Sequence, residues 1–295
     1  MINKKSDQAS LKSLLKQMVI SSRPVSWINT AFPFVAGYLV TGGTINSYFV
    51  IASFYFLIPY NFLIYIVNDV FDYESDVRNP RKNSIEGGLL PPSTHKFMLI
   101  GVALFNLIPL AYLFILGSSS SNLVLVAIVL AAIFYSAPPL RFKEKPFFDS
   151  LTSSFHFVSP LLFALVLIAR VGDGWLYLIA FFAWGCASHM FGAVQDIIAD
   201  RQASISSVAT FLGAKNTVRL SFLFYTITFL TLILIGWPTV VVGLPLLLYI
   251  AMVVPYLNLK DSEATKANSG WRKFLLLNQI TGFVVTVILI VSKIK

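Results

Sequence analysis

Long apolar runs dominate the pattern of hydrophobic and polar positions along this chain. A helix needs about 20 mostly apolar residues to cross about 30 Å of hydrocarbon. Runs of about this length, some of them shorter, occur nine times, at residues 27–40, 48–67, 97–116, 123–137, 148–169, 175–194, 218–234, 238–257 and 274–291. The pattern predicts an all-α integral membrane protein with about nine transmembrane helices in a bundle around a central cavity.

The composition agrees with a protein of the bilayer. Of the 295 residues, 57% are hydrophobic and only 12% are charged. A soluble chain carries roughly twice that charged fraction, about 25%. A soluble enzyme and a disordered chain are therefore excluded. The one cysteine, Cys186, has no second cysteine with which to form an internal disulfide.

The charged residues predict an orientation. The formal net charge is +9, and all but three of the 22 Lys and Arg fall on one side of the predicted spans; the exceptions are Arg170, Lys293 and Lys295. Cytoplasmic loops are enriched in Lys and Arg. We therefore expect a multi-pass protein of the cell membrane with a cytoplasmic N-terminus, and no partnership with nucleic acid.

The first 20 residues are predicted to lie on the inner membrane surface. Leu11, Leu14, Leu15 and Met18 recur at helical spacing with lysines between them, which is typical of an amphipathic helix. No small-residue cleavage site follows, so a cleavable signal peptide is not predicted. We expect residues 1–295 to form one transmembrane domain.

A cluster of acids directly follows the second apolar run. Asp69, Asp72, Glu74 and Asp76 occur together in a chain that has only 13 acids. Asn68, Asp72 and Asp76 are spaced to share one face of a helix. These carboxylates repel one another, and they lie at the negative, C-terminal end of the predicted helix. A bound cation would offset both unfavourable effects. Mg²⁺ suits such a site because it binds one or two carboxylates together with substrate phosphates.

A second acidic pair closes the sixth predicted span. Asp196 and Asp200 are four residues apart, and by topology they lie at the same membrane depth as the first cluster. The two segments could face each other across a cavity and hold Mg²⁺ and a diphosphate. The alternative is structural: solvated helix-end acids, or salt-bridge partners for Arg78, Arg81 and Lys82.

These motifs resemble those of the UbiA superfamily of intramembrane prenyltransferases. The resemblance rests on Asn68-Asp-x-x-Asp72-x-x-x-Asp76 and the later Asp196-x-x-x-Asp200, in a chain of matching span count. Flanking segments at 22–30, 135–143 and 192–201 are similar to the lycopene elongase branch, which makes C50 carotenoids. One departure is Ser204, where many relatives carry an acid or a glycine.

The resemblance implies catalysis by Mg²⁺ bound to Asp69, Asp72, Asp76, Asp196 and Asp200, with Asn68 as a further candidate ligand. It also implies that the diphosphate is bound by Asn68, Arg81, Lys82, Arg141, Lys143 and Arg201. Aromatic faces stabilise cations, so Tyr65, Phe71, Tyr73 and Tyr135 are candidates for shielding an allylic cation. His156 and His189 lie within spans. His189, seven residues before Asp196 and on its helical face, could orient a ligand or take the terminating proton; the alternative is a hydrogen-bonded structural histidine.

Three functions remain open on the sequence. The first is transfer of a C5 unit from dimethylallyl diphosphate to the end of lycopene or a related carotenoid, at a site opening to the cytoplasm. Other carotenoid-biosynthesis enzymes are then expected partners. The second is the same chemistry on an aromatic acceptor of quinone or haem biosynthesis. The third is a cation-coupled transporter, although transporters tend to place such acids near mid-membrane on broken helices.

Overall fold

The computed structural model describes residues 10–77 and 89–294, and every regular element in that part of the chain is helical. Side chains are described for all of these except 75, 76 and 292–294. The helices are α1 (Leu11–Ser21), α2 (Ile28–Val40), α3 (Ser47–Leu57), α4 (Pro59–Asn61), α5 (Val67–Phe71), α6 (Tyr73–Asp76), α7 (Pro92–Leu116), α8 (Ser119–Ser136), α9 (Phe148–Leu167), α10 (Val171–Val194), α11 (Ile197–Gln202), α12 (Val208–Ile235), α13 (Thr239–Val253) and α14 (Ala267–Ile294).

Eight helical segments of the described chain are long and apolar enough to cross a membrane. They match the predicted spans in order, apart from the first. That span forms α2, whose 13 residues extend only about 20 Å at 1.5 Å per residue. Helix α7 begins at Pro92 and α12 at Val208, earlier than the apolar runs at 97 and 218. Helix α7 continues through polar sequence because a helix can extend beyond the hydrocarbon into water. The range of α12 is interrupted at Gly213, whose φ 75° and ψ 165° are not helical.

The predicted amphipathic segment forms α1, which is docked on the bundle. Ser10 caps its N-terminus by accepting a hydrogen bond from the Ser13 amide at 3.2 Å. Met18 is buried, whereas Leu11 and Leu15 stay exposed. The Met18 side chain fills the space beside Gly101 of α7, where an added Cβ would lie 2.1 Å from the methionine methyl group. The remaining residues of the segment, 1–9, lie outside the described part of the chain.

Two large clusters of buried side chains make up most of the core of the described residues, and a third, small one contains Cys186, Met190 and Val208. In the first, the ring of Phe34 lies 5.3 Å from that of Phe56, which is 5.7 Å from Phe163. In the second, the rings of Tyr225 and Tyr249 are 5.4 Å apart. Such aromatic pairs add specific geometry to the burial of apolar area. Helix α9 packs against α2 and α8, and α10 packs against α9, α12 and α14, so the α9–α10 pair joins the two clusters.

A break in the second span positions the acidic cluster. Helix α3 ends at Leu57, Pro59 supplies no amide hydrogen, and a π-helical turn over Phe62–Ile66 precedes α5. The buried Asn61 side chain stabilises the break: its Nδ2 donates to the carbonyl oxygens of Phe56 and Leu57, at 3.0 Å each. π-Turns rotate the following residues relative to a continuous helix and are frequent at functional sites.

Close approach of α9 and α10 depends on Gly185. A Cβ added there would lie 2.9 Å from Ser154 Cβ and 3.2 Å from Ser154 Cα. Ser154 is also fixed, because its hydroxyl donates to the Phe182 carbonyl at 2.8 Å. Small residues commonly allow membrane helices to approach in this way.

We therefore predict that Gly185→Ala destabilises the protein by about 1–3 kcal/mol through overpacking. Gly282→Ala is the matched control, since no atom lies within 4 Å of its added Cβ. The control should be neutral or slightly stabilising because alanine is the better helix former. Reversible unfolding of both variants in detergent measures the difference, and equal stability of the two would contradict the packing argument.

Candidate active site

The first acidic cluster is divided between two helices. The prediction that Asn68, Asp72 and Asp76 share one face of a continuous helix is wrong. Helix α5 ends at Phe71, and Asp72 has the non-helical angles φ −105° and ψ 0°. A separate short helix, α6, then runs to Asp76, whose side chain lies outside the described atoms. The predicted approach of Asn68 to Asp72 is present, with Asn68 Nδ2 donating to Asp72 Oδ2 at 2.8 Å. The same amide donates to Ser136 Oγ at 2.9 Å.

Asp69 is buried against a residue that the sequence analysis did not place in the site. Its side chain has no exposed surface, and its Oδ1 lies 3.1 Å from Arg23 Nη2. The Arg23 guanidinium also stacks 4.4 Å from the centre of the Tyr65 ring. The sequence predicts Arg23 as one of the cytoplasmic basic residues and as part of segment 22–30, without a role in the site. The available signal was its position beside Pro24 between the amphipathic helix and the first span, but no local pattern shows that it reaches α5.

Asp72 meets two cations from the turn between α8 and α9. The Lys143 ammonium forms an ion pair with Asp72 Oδ1, and Arg141 Nη2 lies 3.8 Å from the same oxygen. Arg141 also donates to the Ser136 carbonyl at 3.1 Å and pairs with Glu144. Arg141 and Lys143 thus lie beside Asp72, and their predicted binding of diphosphate stays a prediction.

Lys143 lies within the field of both acidic segments. Burial lowers the pKa of its ammonium to about 8, and the carboxylates of Glu144, Asp200 and Asp69 oppose this shift. The hydrogen bond from Arg141 lowers the pKa of Glu144. Lys143 is mostly charged at neutral pH, because its pKa remains above 7. The ion pair of Lys143 with Asp72 thus joins the turn between α8 and α9 to the first acidic cluster.

The second acidic pair follows the end of α10. Gln195 ends that helix, and Asp196 precedes α11, which contains Asp200. The Asp200 amide donates to the Asp196 carbonyl at 2.8 Å, and both side chains are partly exposed. The sixth span therefore ends before this pair, which starts a separate short helix. Asn268 of α14 donates to Gln195 Oε1 at 2.6 Å and fixes the adjoining turn.

The other predicted diphosphate contacts have different outcomes. Arg201 pairs with Asp261 at 2.7 Å and donates to the Thr210 carbonyl at 3.1 Å. These contacts connect Arg201 to the start of α12. Binding of the diphosphate by Arg201 stays a prediction. Arg81 and Lys82 lie outside the described residues.

The predicted aromatic and histidine residues occupy distinct places. Tyr73 packs its ring edge-on against His95, with centroids 5.7 Å apart. Tyr135 packs in the same way against His156 at 5.1 Å, and its hydroxyl lies 3.3 Å from His189 Nε2. Phe71 is 36% exposed. Tyr65 thus contacts the Arg23 guanidinium, and Tyr135 contacts the His189 imidazole.

The donor chemistry of the acidic residues fits Mg²⁺. Within the described residues, no three His, Cys, Asp or Glu side chains are arranged to hold a metal ion by themselves. Mg²⁺ usually binds one or two carboxylates plus water and substrate phosphates. The buried Asp69 and Asp72 carboxylates, beside the Asn68 amide, offer such oxygen atoms. Participation of Asp196 and Asp200 in the same metal site stays a prediction.

Comparison with known proteins identifies the class. Residues 30–280 match the UbiA prenyltransferase family, and the chain belongs to that family. It is therefore a prenyltransferase, which confirms the predicted enzyme class and does not support the transporter alternative.

The relatives extend the identification. The chain is 45% identical over 278 residues to a lycopene elongase/hydratase of Corynebacterium glutamicum, covering 94% of this chain and 97% of that protein. It is 34% identical over 212 residues to a lycopene elongase/hydratase of Haloarcula japonica, covering 70% of each. The predicted likeness to the lycopene elongase branch is confirmed.

Solved structures share the fold. A UbiA homolog of Archaeoglobus fulgidus, bound to DMAPP and Mg²⁺, superimposes with a TM-score of 0.62 at 18% identity, over 92% of this chain and 99% of that one. An apo UbiA homolog of Aeropyrum pernix K1 gives a TM-score of 0.67 at 15% identity, over 91% and 98%. The predicted all-α membrane fold is confirmed.

The Arg23–Asp69 pair leads to a prediction about stability. Arg23→Met removes a cation from a fully buried carboxylate and should lower the unfolding free energy by roughly 3 kcal/mol. Adding Asp69→Asn to Arg23→Met replaces the buried carboxylate by a neutral amide. The double variant should therefore recover most of the lost unfolding free energy. A double-mutant cycle by unfolding in detergent measures the coupling. Additive effects of the two substitutions would show that the pair contributes no coupling energy.

Proposed function

We propose that this chain is a Mg²⁺-dependent prenyltransferase of carotenoid biosynthesis. It transfers a C5 unit from dimethylallyl diphosphate to the end of lycopene or a related carotenoid and so forms C45 and C50 products. The observation that carries the proposal is the set of ion pairs that holds Lys143 and Arg141 against the buried Asp72, and Arg23 against the buried Asp69. The lycopene elongase/hydratase relatives support the carotenoid acceptor.

The charges of the site suit the binding of a diphosphate. Lys143 and Arg141 are held against Asp72 by ion pairs, and Arg23 is held against Asp69. A diphosphate with its metal would exchange some of these partners: the carboxylates would take the metal, and the cations would take phosphate oxygens. Cations placed in this way neutralise the charge that develops on the leaving group.

Bound at these carboxylates, Mg²⁺ would supply Lewis-acid neutralisation of the departing diphosphate. The chain itself has to keep the allylic cation away from water. Tyr65 stacks with Arg23 beside Asp69, and Tyr135 directly precedes Ser136, which bonds Asn68. Ring faces stabilise cations by about 0.5–2 kcal/mol each. The terminal double bond of the acceptor then attacks that cation.

The proposed orientation places the site at the cytoplasmic side. Arg23, Arg141 and Lys143 are among the basic residues that the positive-inside rule assigns to the cytoplasm. Water-soluble dimethylallyl diphosphate would enter from there, and a carotenoid would enter from the bilayer.

Lys143 should be needed for donor binding. Lys143→Met removes a charge-assisted contact worth about 1.5–3 kcal/mol, so KM for dimethylallyl diphosphate should rise about tenfold or more. Lys145→Met is the matched control: it removes the same charge from an exposed residue of the same turn and should leave KM unchanged. Steady-state diphosphate release measures both, and equal KM values would contradict the role of Lys143.

Pigment analysis tests the function itself. Expression in a lycopene-accumulating host should convert lycopene into carotenoids that are one and two C5 units heavier. Asp72→Asn should lower the yield about a thousandfold, since loss of metal binding removes several kcal/mol of transition-state stabilisation. Unchanged lycopene with the wild-type chain, accompanied by prenylation of an added aromatic acid, would favour the aromatic acceptor instead.

A further inference from the structure

A chain of polar side chains runs from the candidate site into the protein. Tyr135 Oη lies 3.3 Å from His189 Nε2, and His189 Nδ1 lies 3.0 Å from Ser150 Oγ. Ser150 Oγ in turn lies 3.3 Å from Asp149 Oδ1. Three helices contribute to it: α8 carries Tyr135, α9 carries Ser150 and Asp149, and α10 carries His189. The predicted catalytic and metal-binding residues are not members of this chain.

The inner end of the chain is rigid and buried. Asp149 is 1% exposed and Ser150 is 3% exposed. Asp149 Oδ2 accepts a hydrogen bond from the Val208 amide at 2.7 Å, and its Oδ1 accepts one from the Ser150 amide at the same distance. These contacts fix the carboxylate at the start of α12. A carboxylate held by two amides is a fixed negative charge suited to stabilising an imidazolium through one hydroxyl.

The hydrogen bonds all point in one direction. The Asp149 carboxylate only accepts, so Ser150 donates to it and is left with a lone pair for the Nδ1–H of His189. His189 Nε2 then carries a lone pair toward Tyr135, which donates its hydroxyl proton. Every donor thus points inward, from Tyr135 toward Asp149. Such a chain can take up a proton at its outer end by shifting each proton one step inward.

The outer end of the chain adjoins the first acidic cluster. Tyr135 directly precedes Ser136, whose hydroxyl accepts a hydrogen bond from Asn68 Nδ2 at 2.9 Å. Tyr135 and His189 are partly exposed, unlike Asp149 and Ser150. His156 packs edge-on against the Tyr135 ring and holds it in place.

We propose that Tyr135 and His189 accept the proton released when the acceptor cation is quenched, with Ser150 and Asp149 as positioning residues. The inference rests on the proposed function. After attack on the allylic cation, the acceptor carries a positive charge beside its new carbon–carbon bond. A neighbouring C–H bond breaks, its electron pair forms the new double bond, and the proton passes to Tyr135 Oη. The hydroxyl proton of Tyr135 moves to His189 Nε2. The imidazolium then returns its proton to water.

The test compares Tyr135→Phe and His189→Gln with the wild-type protein, purified in detergent with dimethylallyl diphosphate, Mg²⁺ and lycopene. Both variants should lose about a hundredfold in kcat, the lower range for general-base catalysis, while KM for the diphosphate stays unchanged. The mass profile of the carotenoids should also change, because a longer-lived cation is quenched by water or at other hydrogens. Tyr225→Phe is the matched control: it removes a buried hydroxyl that bonds Ser188 of α10 and should keep both kcat and products.

The outcomes are separable. If Tyr135→Phe keeps kcat and product masses, or raises only KM, the relay is wrong and the proposed function stands. If the wild-type chain forms no extended carotenoid, the proposed function fails, and the relay fails with it. Should His189→Gln unfold, Tyr135→Phe, which removes a single oxygen atom, decides alone.

Discussion

The site depends on the cost of holding carboxylates in an apolar protein. Asp69 and Asp72 are almost fully buried at the end of a 25-residue apolar span. An ionised group removed from water loses several kcal/mol of hydration unless it is paired. Each of these acids is therefore paired with a basic side chain from elsewhere in the chain: Arg23 for Asp69, and Lys143 for Asp72. This pairing joins the segment after α1 and the turn between α8 and α9 to the first acidic cluster.

Two arginines beside the first acidic cluster, Arg23 and Arg141, have left-handed backbone conformations. Arg23, after α1, has φ 54°, and Arg141, after α8, has φ 41°; each precedes a short 3-10 turn. Non-glycine residues rarely adopt this conformation, which persists where surrounding contacts compensate for it. Here the compensation is ionic, because both guanidinium groups lie beside carboxylates of the first acidic cluster. The strained turns and the buried acids stabilise one another.

Breaks in two helices lie near the acidic segments. In the second span, Asn61 Nδ2 donates to the Phe56 and Leu57 carbonyls at the end of α3, where the helix breaks before Pro59. At α12, Gly213 adopts φ 75°, and the next amide, that of Ala214, donates to Asp261 at 2.7 Å. Asp261 also pairs with Arg201, next to Asp200. Both acidic segments are thus adjacent to irregular backbone that named polar side chains stabilise, as expected where a membrane protein builds a polar site.

Much of this protein is determined locally. Apolar runs specify membrane helices because each helix satisfies its own backbone hydrogen bonds, and scarce acids in a membrane protein mark a site because burying them is costly. The sequence alone therefore predicted the helical class, the positions of eight spans and both acidic motifs. It could not predict that α5 stops at Phe71, that Arg23 reaches Asp69, or that Tyr135, His189, Ser150 and Asp149 connect. Those contacts join residues 46, 54 and 39 positions apart, and only the packing of different helices brings such residues together.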